Sequence, residues 1–225
     1  MGYLSELLMI LAIVLLPVIA QSKVTSAYNK YSKIKNSCNL TGKEVARKIL
    51  DRNGLNKITI GEVSGSLTDH YDPSKKNINL SSGIHSETSI AAVAVAAHEC
   101  GHAIQDKEHY SFLVFRTKLV PIVNFTSRIS TIFIMVGFLS ELANLVTIGI
   151  ILLSVGLLFQ LVTLPVEFDA SRRGKIQLKE LGLIEDNDVK GTESVLNAAA
   201  LTYVAGFLAT AMQILRLILI NRNRN

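Results

Sequence analysis

The sequence predicts an α-helical membrane protein that carries a small α+β domain beside about four membrane segments. Three observations lead there. Hydrophobic residues make up 49% of the 225-residue chain and are clustered rather than spread, with a mean hydropathy of +0.35. The stretch Gln21–Lys118 instead has the composition of a water-soluble unit, with fourteen lysines and arginines. Within it, the alanine-rich run "AAVAVAAHECGHAIQD", Ala91–Asp106, closes on two histidines and a glutamate.

The first apolar cluster is Leu7–Ala20, which with Tyr3 and Leu4 is just long enough to cross a hydrocarbon core. Its leading "MGYLSE" lacks Lys and Arg, and no convincing small-residue cleavage site follows. Residues 1–20 are therefore expected to be an uncleaved anchor rather than a signal peptide. In the soluble stretch, residues 21–118, "LTGKEVARKILDRNGL" reads as a short amphipathic helix. Thr41 is its N-cap, Glu44 lies three residues on, and Gly54 is its stop. "KITIGEV" and "KNINLSS" alternate apolar and polar residues, as short strands flanking the Asp72-Pro73 turn would. The second apolar block, residues 119–166, is too long for one span and is broken by "SELAN" at Ser140–Asn144. It reads as a hairpin of two helices, Leu119–Leu139 and Leu145–Pro165. After residues 167–194 comes a last apolar block, Val195–Ile220, which makes residues 195–225 a C-terminal membrane helix.

Lysine and arginine near segment ends favour the cytoplasmic side. Lys23, Lys30, Lys33 and Lys35 follow the first segment, Arg116 and Lys118 precede the second, Arg172, Arg173 and Lys175 follow the third, and the Ser140–Asn144 turn has none. The soluble stretch and the 167–194 segment are thus expected to face the cytoplasm of a multi-pass protein. Four complete spans would put Arg222 and Arg224 outside, so the last helix is expected to be re-entrant or interfacial. The net charge of +5 reflects this topology. No motif and no aromatic-basic interleaving supports a nucleic-acid partner. Cys38 and Cys100 form no disulfide framework, which fits a reducing compartment.

The run Ala91–Asp106 contains no Pro, a single Gly and mostly good helix formers, so it is read as a helix of several turns. His98 and His102 then share a face four residues apart, where two imidazoles can hold one zinc ion. Glu99, about 100° round the helix, can take a proton from a metal-activated water as general base. This is the HExxH arrangement of zinc proteases. The competing reading is an alanine-rich core helix that happens to carry polar residues. Cys100 points to the opposite side and is expected to be a small buried residue.

A catalytic zinc takes three protein ligands and leaves one position for water. The metzincin pattern fails, because Gln105 stands where its glycine belongs and Glu108 where its histidine does. His70 and His85 are alternatives, read more readily as loop histidines. A ligand arriving after an even number of spans returns to the same membrane face, and Glu167, directly after the third segment in "LPVEFDASRRG", does so. The other reading makes Glu167 and Asp169 interfacial charges balancing Arg172 and Arg173.

"AVAVAAHECGHAIQD", "LVPIVNFTSRIS", "LPVEFDASRRG", "VLNAAALTYVAG" and "LTDHYDPSKKNINLSSGIHS" occur in an order that resembles the YugP-type neutral zinc metallopeptidases of bacterial membranes. The resemblance spans nearly the whole chain and extends more distantly to the membrane gluzincins, including the HtpX heat-shock protease and the CAAX prenyl protease. It implies a gluzincin-like domain in the bacterial cell membrane, one Zn2+ per chain, His98, His102 and Glu167 as ligands, Glu99 as general base, and residues 167–194 as third-ligand helix and loop. In the distant relatives an aspartate four residues after the ligand glutamate orients a histidine. Ser171 holds that place here, so Ser171 or Asp169 is expected to take the role. The strand Asn77-Ile78-Asn79-Leu80-Ser81 occupies the place of the relatives' active-site edge strand, where an extended peptide would add. The expected activity is a membrane-embedded zinc endopeptidase acting on proteins or peptides, membrane proteins among them, at the lipid bilayer. The alternative from another class is a non-catalytic zinc-containing scaffold or chaperone. A transporter is weaker, since few central charges offer an ion path.

Overall fold

The computed structural model describes residues 3–222; Met1, Gly2 and residues 223–225, Arg224 among them, lie outside the described residues. The chain is a helical membrane protein with a small α+β part, and it falls into two compact units.

The unit formed by residues 22–113 and 165–200 contains the sheet. Helix α2, Gly42–Arg52, begins as expected: the Thr41 side chain accepts the Glu44 N–H while the Glu44 carboxylate accepts the Thr41 N–H. It buries Val45, Ala46, Ile49 and Leu50, one stripe of an otherwise charged helix. Strand β1 is Thr59–Val63, β2 His70–Asp72 and β3 Asn77–Ser81. Their order in the sheet is β1-β3-β2, with β1 parallel and β2 antiparallel to β3.

This order corrects the expectation for Asn77–Ser81: β3 is the central strand. Asp72 Oδ1 accepts the N–H groups of Ser74 (2.8 Å) and Lys75 (3.1 Å), and this Asx turn folds β2 back along β3. Asn77, Ile78 and Asn79 then face β2 on one side while all five residues face β1 on the other. Just before β2 begins, Asp69 Oδ1 accepts the Ser81 N–H at 2.7 Å. No free edge remains on β3 for a peptide. At three residues, β2 was too short to announce itself by alternation.

A one-turn helix α3, Ser82–His85, leads to α4, Ile90–Lys107, whose N-cap Ser89 accepts the Ala92 N–H. Helix α4 is buried almost all round, which explains its alanines: neighbours can approach on every side. Ala92, Val93, Ala96, Cys100 and Ala103 join the main core with α2 and β3, while Ala91 and Ala94 pack with Val195 and Leu196.

In the unit formed by residues 1–21, 114–164 and 201–225, the described residues are apolar and mostly helical. Helix α1, Tyr3–Tyr31, α5, Ser111–Leu139, α6, Ala143–Glu180, and α7, Asp186–Arg222, are each long and apolar enough to span a membrane. The predicted interruption between α5 and α6 shrinks to residues 140–142. There Gly137 fits against Val146, and Gly149 against Ile134 and the Ser130 carbonyl, too close for a Cβ to be added without a shift. Helix α7 is not re-entrant. Its Ile214 and Leu217 pack with Val146 and Ile150 of α6, and Asn221 Nδ2 donates to Ala143 O (3.2 Å) and Thr147 Oγ1 (2.9 Å). The far end of α7 therefore reaches the α5–α6 turn, antiparallel to α6. Arg216 pairs with Glu6 at 3.1 Å, bringing the start of α1 to that same end.

Helix α6 continues past the expected stop at Pro165, and α7 starts nine residues before Val195, so most of 167–194 is helical. Proline removes one backbone bond, but burial of Val162, Val166 and Ala170 on either side of it outweighs that loss.

Candidate metal centre

Two glycines set the approach of α4 to the C-terminal part of α6. A Cβ on Gly101 would lie 2.2 Å from Ala170 O, and one on Gly174 would lie 2.6 Å from Ala97 O. The helices meet with backbone against backbone, and Glu167, in the turn before Ala170, is carried to the histidine face of α4. The glycine of HECGH is thus a packing requirement as much as a helix residue.

Glu167 Oε2 stands 3.3 Å from His98 Nε2 and 3.5 Å from His102 Nε2. One ligand atom from each of the three residues falls within 4.8 Å of the others. Metal–ligand bonds of about 2.0–2.1 Å in a tetrahedron imply ligand–ligand edges of about 3.3–3.4 Å. The two edges made by Glu167 match that size, and two imidazoles with a carboxylate match zinc in donor chemistry. Glu167 is 3% exposed, so its charge has little water to rely on.

The far nitrogen of each ring is held. His98 Nδ1 lies 3.0 Å from Ser171 Oγ, and His102 Nδ1 lies 3.0 Å from Gln105 Oε1. The Gln105 amide donates through Nε2 to Val166 O (2.8 Å) and Asp169 Oδ2 (3.0 Å), both pure acceptors, so its oxygen must face His102. His102 Nδ1 therefore carries the hydrogen, and Nε2 presents a lone pair towards Glu167. Gln105, fully buried, has no part in the sequence-based site except as the residue that breaks the metzincin spacing. Its place three residues after His102 on an alanine-rich helix was the available signal.

The two carboxylates of "VEFD" separate. Glu167 goes to the histidines, whereas Asp169 takes Arg172 and Arg173 as well as Gln105. Charge balancing thus describes Asp169, which connects to His102 through Gln105. Ser171 bonds His98 directly, from the position where the resembled relatives carry aspartate.

Glu99 is 6% exposed, and its pKa is pushed up to about 7. Burial is the main cause, countered by His98, reinforced by the charges of Glu167 and Asp69, and eased by the Tyr71 backbone of β2. Cys100 Sγ instead points to Ala46 O at 3.6 Å, in the core, where burial raises its pKa well above the ordinary thiol value. His70 is held by Thr68 O (2.8 Å) and Asn79 (3.0 Å), and His85 by Ser86 Oγ (2.9 Å); neither joins the cluster. Residues 77–81 lie in the middle of the sheet, with β2 rather than β3 lending its backbone to Glu99.

A model of the family described as "Putative neutral zinc metallopeptidase" matches residues 6–222. A protein of Bacillus subtilis (strain 168), named "Putative membrane protease YugP", is 47% identical over 204 residues, covering 91% of each chain. No solved structure matches. With a family model spanning nearly all of its length and a relative of this identity, the chain belongs to the neutral zinc metallopeptidase family.

Proposed function

We propose that the protein is a membrane-embedded zinc endopeptidase with one zinc per chain, its sheet-containing unit facing the cytoplasm, and proteins or peptides at the bilayer as substrates. The observation that carries this reading is Glu167 Oε2 at tetrahedral-edge distance from both His98 Nε2 and His102 Nε2, with one ligand atom of each residue within 4.8 Å of the others and buried Glu99 sensing the same charges. When bound, zinc supplies Lewis acidity to a peptide carbonyl and makes a coordinated water easier to deprotonate. His98, His102 and Glu167 would hold the ion, and Ser171 and Gln105 fix the imidazole orientations. Glu99 accepts a proton at its carboxylate and returns it to the leaving amine, a task suited to a carboxyl whose pKa burial has raised. The substrate main chain is aligned by the outer edge of β2, whose Tyr71 backbone meets Glu99, in place of β3.

Zinc analysis of detergent-purified protein tests the site. Wild type should carry about one zinc per chain, and His98→Ala and Glu167→Ala should each lose most of it and all peptide cleavage. Stoichiometric zinc in both variants would overturn the ligand assignment. A map with anomalous signal placing Cys100 or His70 on the metal would favour the scaffold reading, because structural zinc closes its fourth position with protein.

A further inference from the structure

Helix α5 carries a charge that its own unit does not answer. Its buried row is Leu119, Thr126 and Ser130, with Gly137 meeting α6. Arg128 is two residues from both Thr126 and Ser130, hence on the opposite side at about 100° per residue. Asn124 and Thr131 share that side, four before and three after Arg128, and all three are exposed. Among the described residues Arg128 makes no ion pair or hydrogen bond. At about 1.5 Å per residue, Arg128 is about 15 Å from Lys118 and about 16 Å from Leu139. It thus sits near the middle of a hydrocarbon core about 30 Å thick, beyond the reach of its side chain to either surface.

We propose that this face of α5 docks a membrane-spanning helix of another protein that carries an aspartate or glutamate near its own midpoint. Charge complementarity selects that occupant. A second copy of this chain cannot supply the counter-charge, because residues 1–21, 114–164 and 201–225 contain only two acidic side chains, Glu6 and Glu141. Glu6 already pairs with Arg216 at the turn end of the unit, and Glu141 lies in the α5–α6 turn itself. Two copies meeting through this face would bring arginine against arginine. A carboxylate at matching depth instead gives Arg128 a bidentate partner, with Asn124 and Thr131 as neighbouring polar contacts, in a medium that strengthens ion pairs. The inference concerns the helical unit alone and stands whether or not the metal site cleaves peptides.

The test uses the full-length protein in phosphatidylcholine vesicles, labelled with a donor dye at Ser140→Cys in a Cys38→Ser background. Leucine-rich spanning peptides with a central Asp, Leu or Lys carry the acceptor, and energy transfer is titrated against peptide-to-lipid ratio. The Asp peptide should bind at least tenfold more tightly than the Leu peptide. That preference should persist in Arg128→Lys, vanish in Arg128→Leu and turn towards the Lys peptide in Arg128→Glu, with zinc content unchanged throughout. Equal binding of the Asp and Leu peptides to wild type, or an Asp preference that survives Arg128→Leu, would overturn the proposal.

Discussion

At the scale of single residues, the centre is a set of atoms whose free orientations have been removed one at a time. Three acceptors and donors around Gln105 settle its amide, the amide settles the His102 tautomer, and the tautomer leaves Nε2 available opposite Glu167. Replacing Gln105 by Leu keeps the volume but frees the ring and leaves Val166 O and Asp169 without that donor. Zinc affinity, measured by competition with a chromophoric chelator, should fall about 10–100-fold. An unchanged affinity would mean that the helix alone holds His102. His98, Glu99 and His102 were legible in the sequence because helical spacing translates directly into shared faces. Glu167 was legible through topology, since two spans return the chain to its starting side. Gln105 was not read as part of the site, because its role depends on Val166 and Asp169, which reach it only through the packing of α6 on α4.

Helices and strands were legible in proportion to their local signals. The capping box of α2 needs only Thr41, Glu44 and the stripe behind them, and it forms as written. Strand β2 and helix α3, at three and four residues, have no periodicity to detect, and the resemblance alone placed β3 at the sheet edge. Pro165 reads as a stop, yet packing carries α6 through it to Glu180, which is how one helix both spans the apolar unit and delivers Glu167. The α4–α6 contact depends on Gly101. Gly101→Ala drives a Cβ into the Ala170 carbonyl, so it should lower stability by about 1–3 kcal/mol and reduce bound zinc, read by thermal unfolding and metal analysis. Gly156→Ala in α6, where an added Cβ meets nothing within 4 Å, is the matched control and should leave both unchanged or raise stability slightly. Equal behaviour of the two variants would remove close approach as the reason for this glycine.

At the scale of the whole molecule, four apolar helices and a small sheet-containing unit were readable from clustering of hydrophobic residues alone. The course of α7 was not, because Arg222 near its end argued against a full span, whereas Asn221 reaching Ala143 and the Glu6–Arg216 pair bring its end to the α5–α6 turn. Lysine and arginine outnumber acids after the first apolar segment, before the second and after the third, while acids lead before the last, and the proposed cytoplasmic sheet-containing unit rests on the first three. Ser140→Cys in a Cys38→Ser background should react with an impermeant maleimide on intact cells, and Thr68→Cys in the same background only after permeabilisation. The reverse pattern would invert the orientation. Peptide hydrolysis through Glu99 is checked by casein cleavage with zinc quantified in the same samples of wild type and Glu99→Gln. Both should hold zinc and only wild type should cut, with loss of at least about 100-fold in the variant. Undiminished cleavage by zinc-loaded Glu99→Gln would contradict hydrolysis through Glu99.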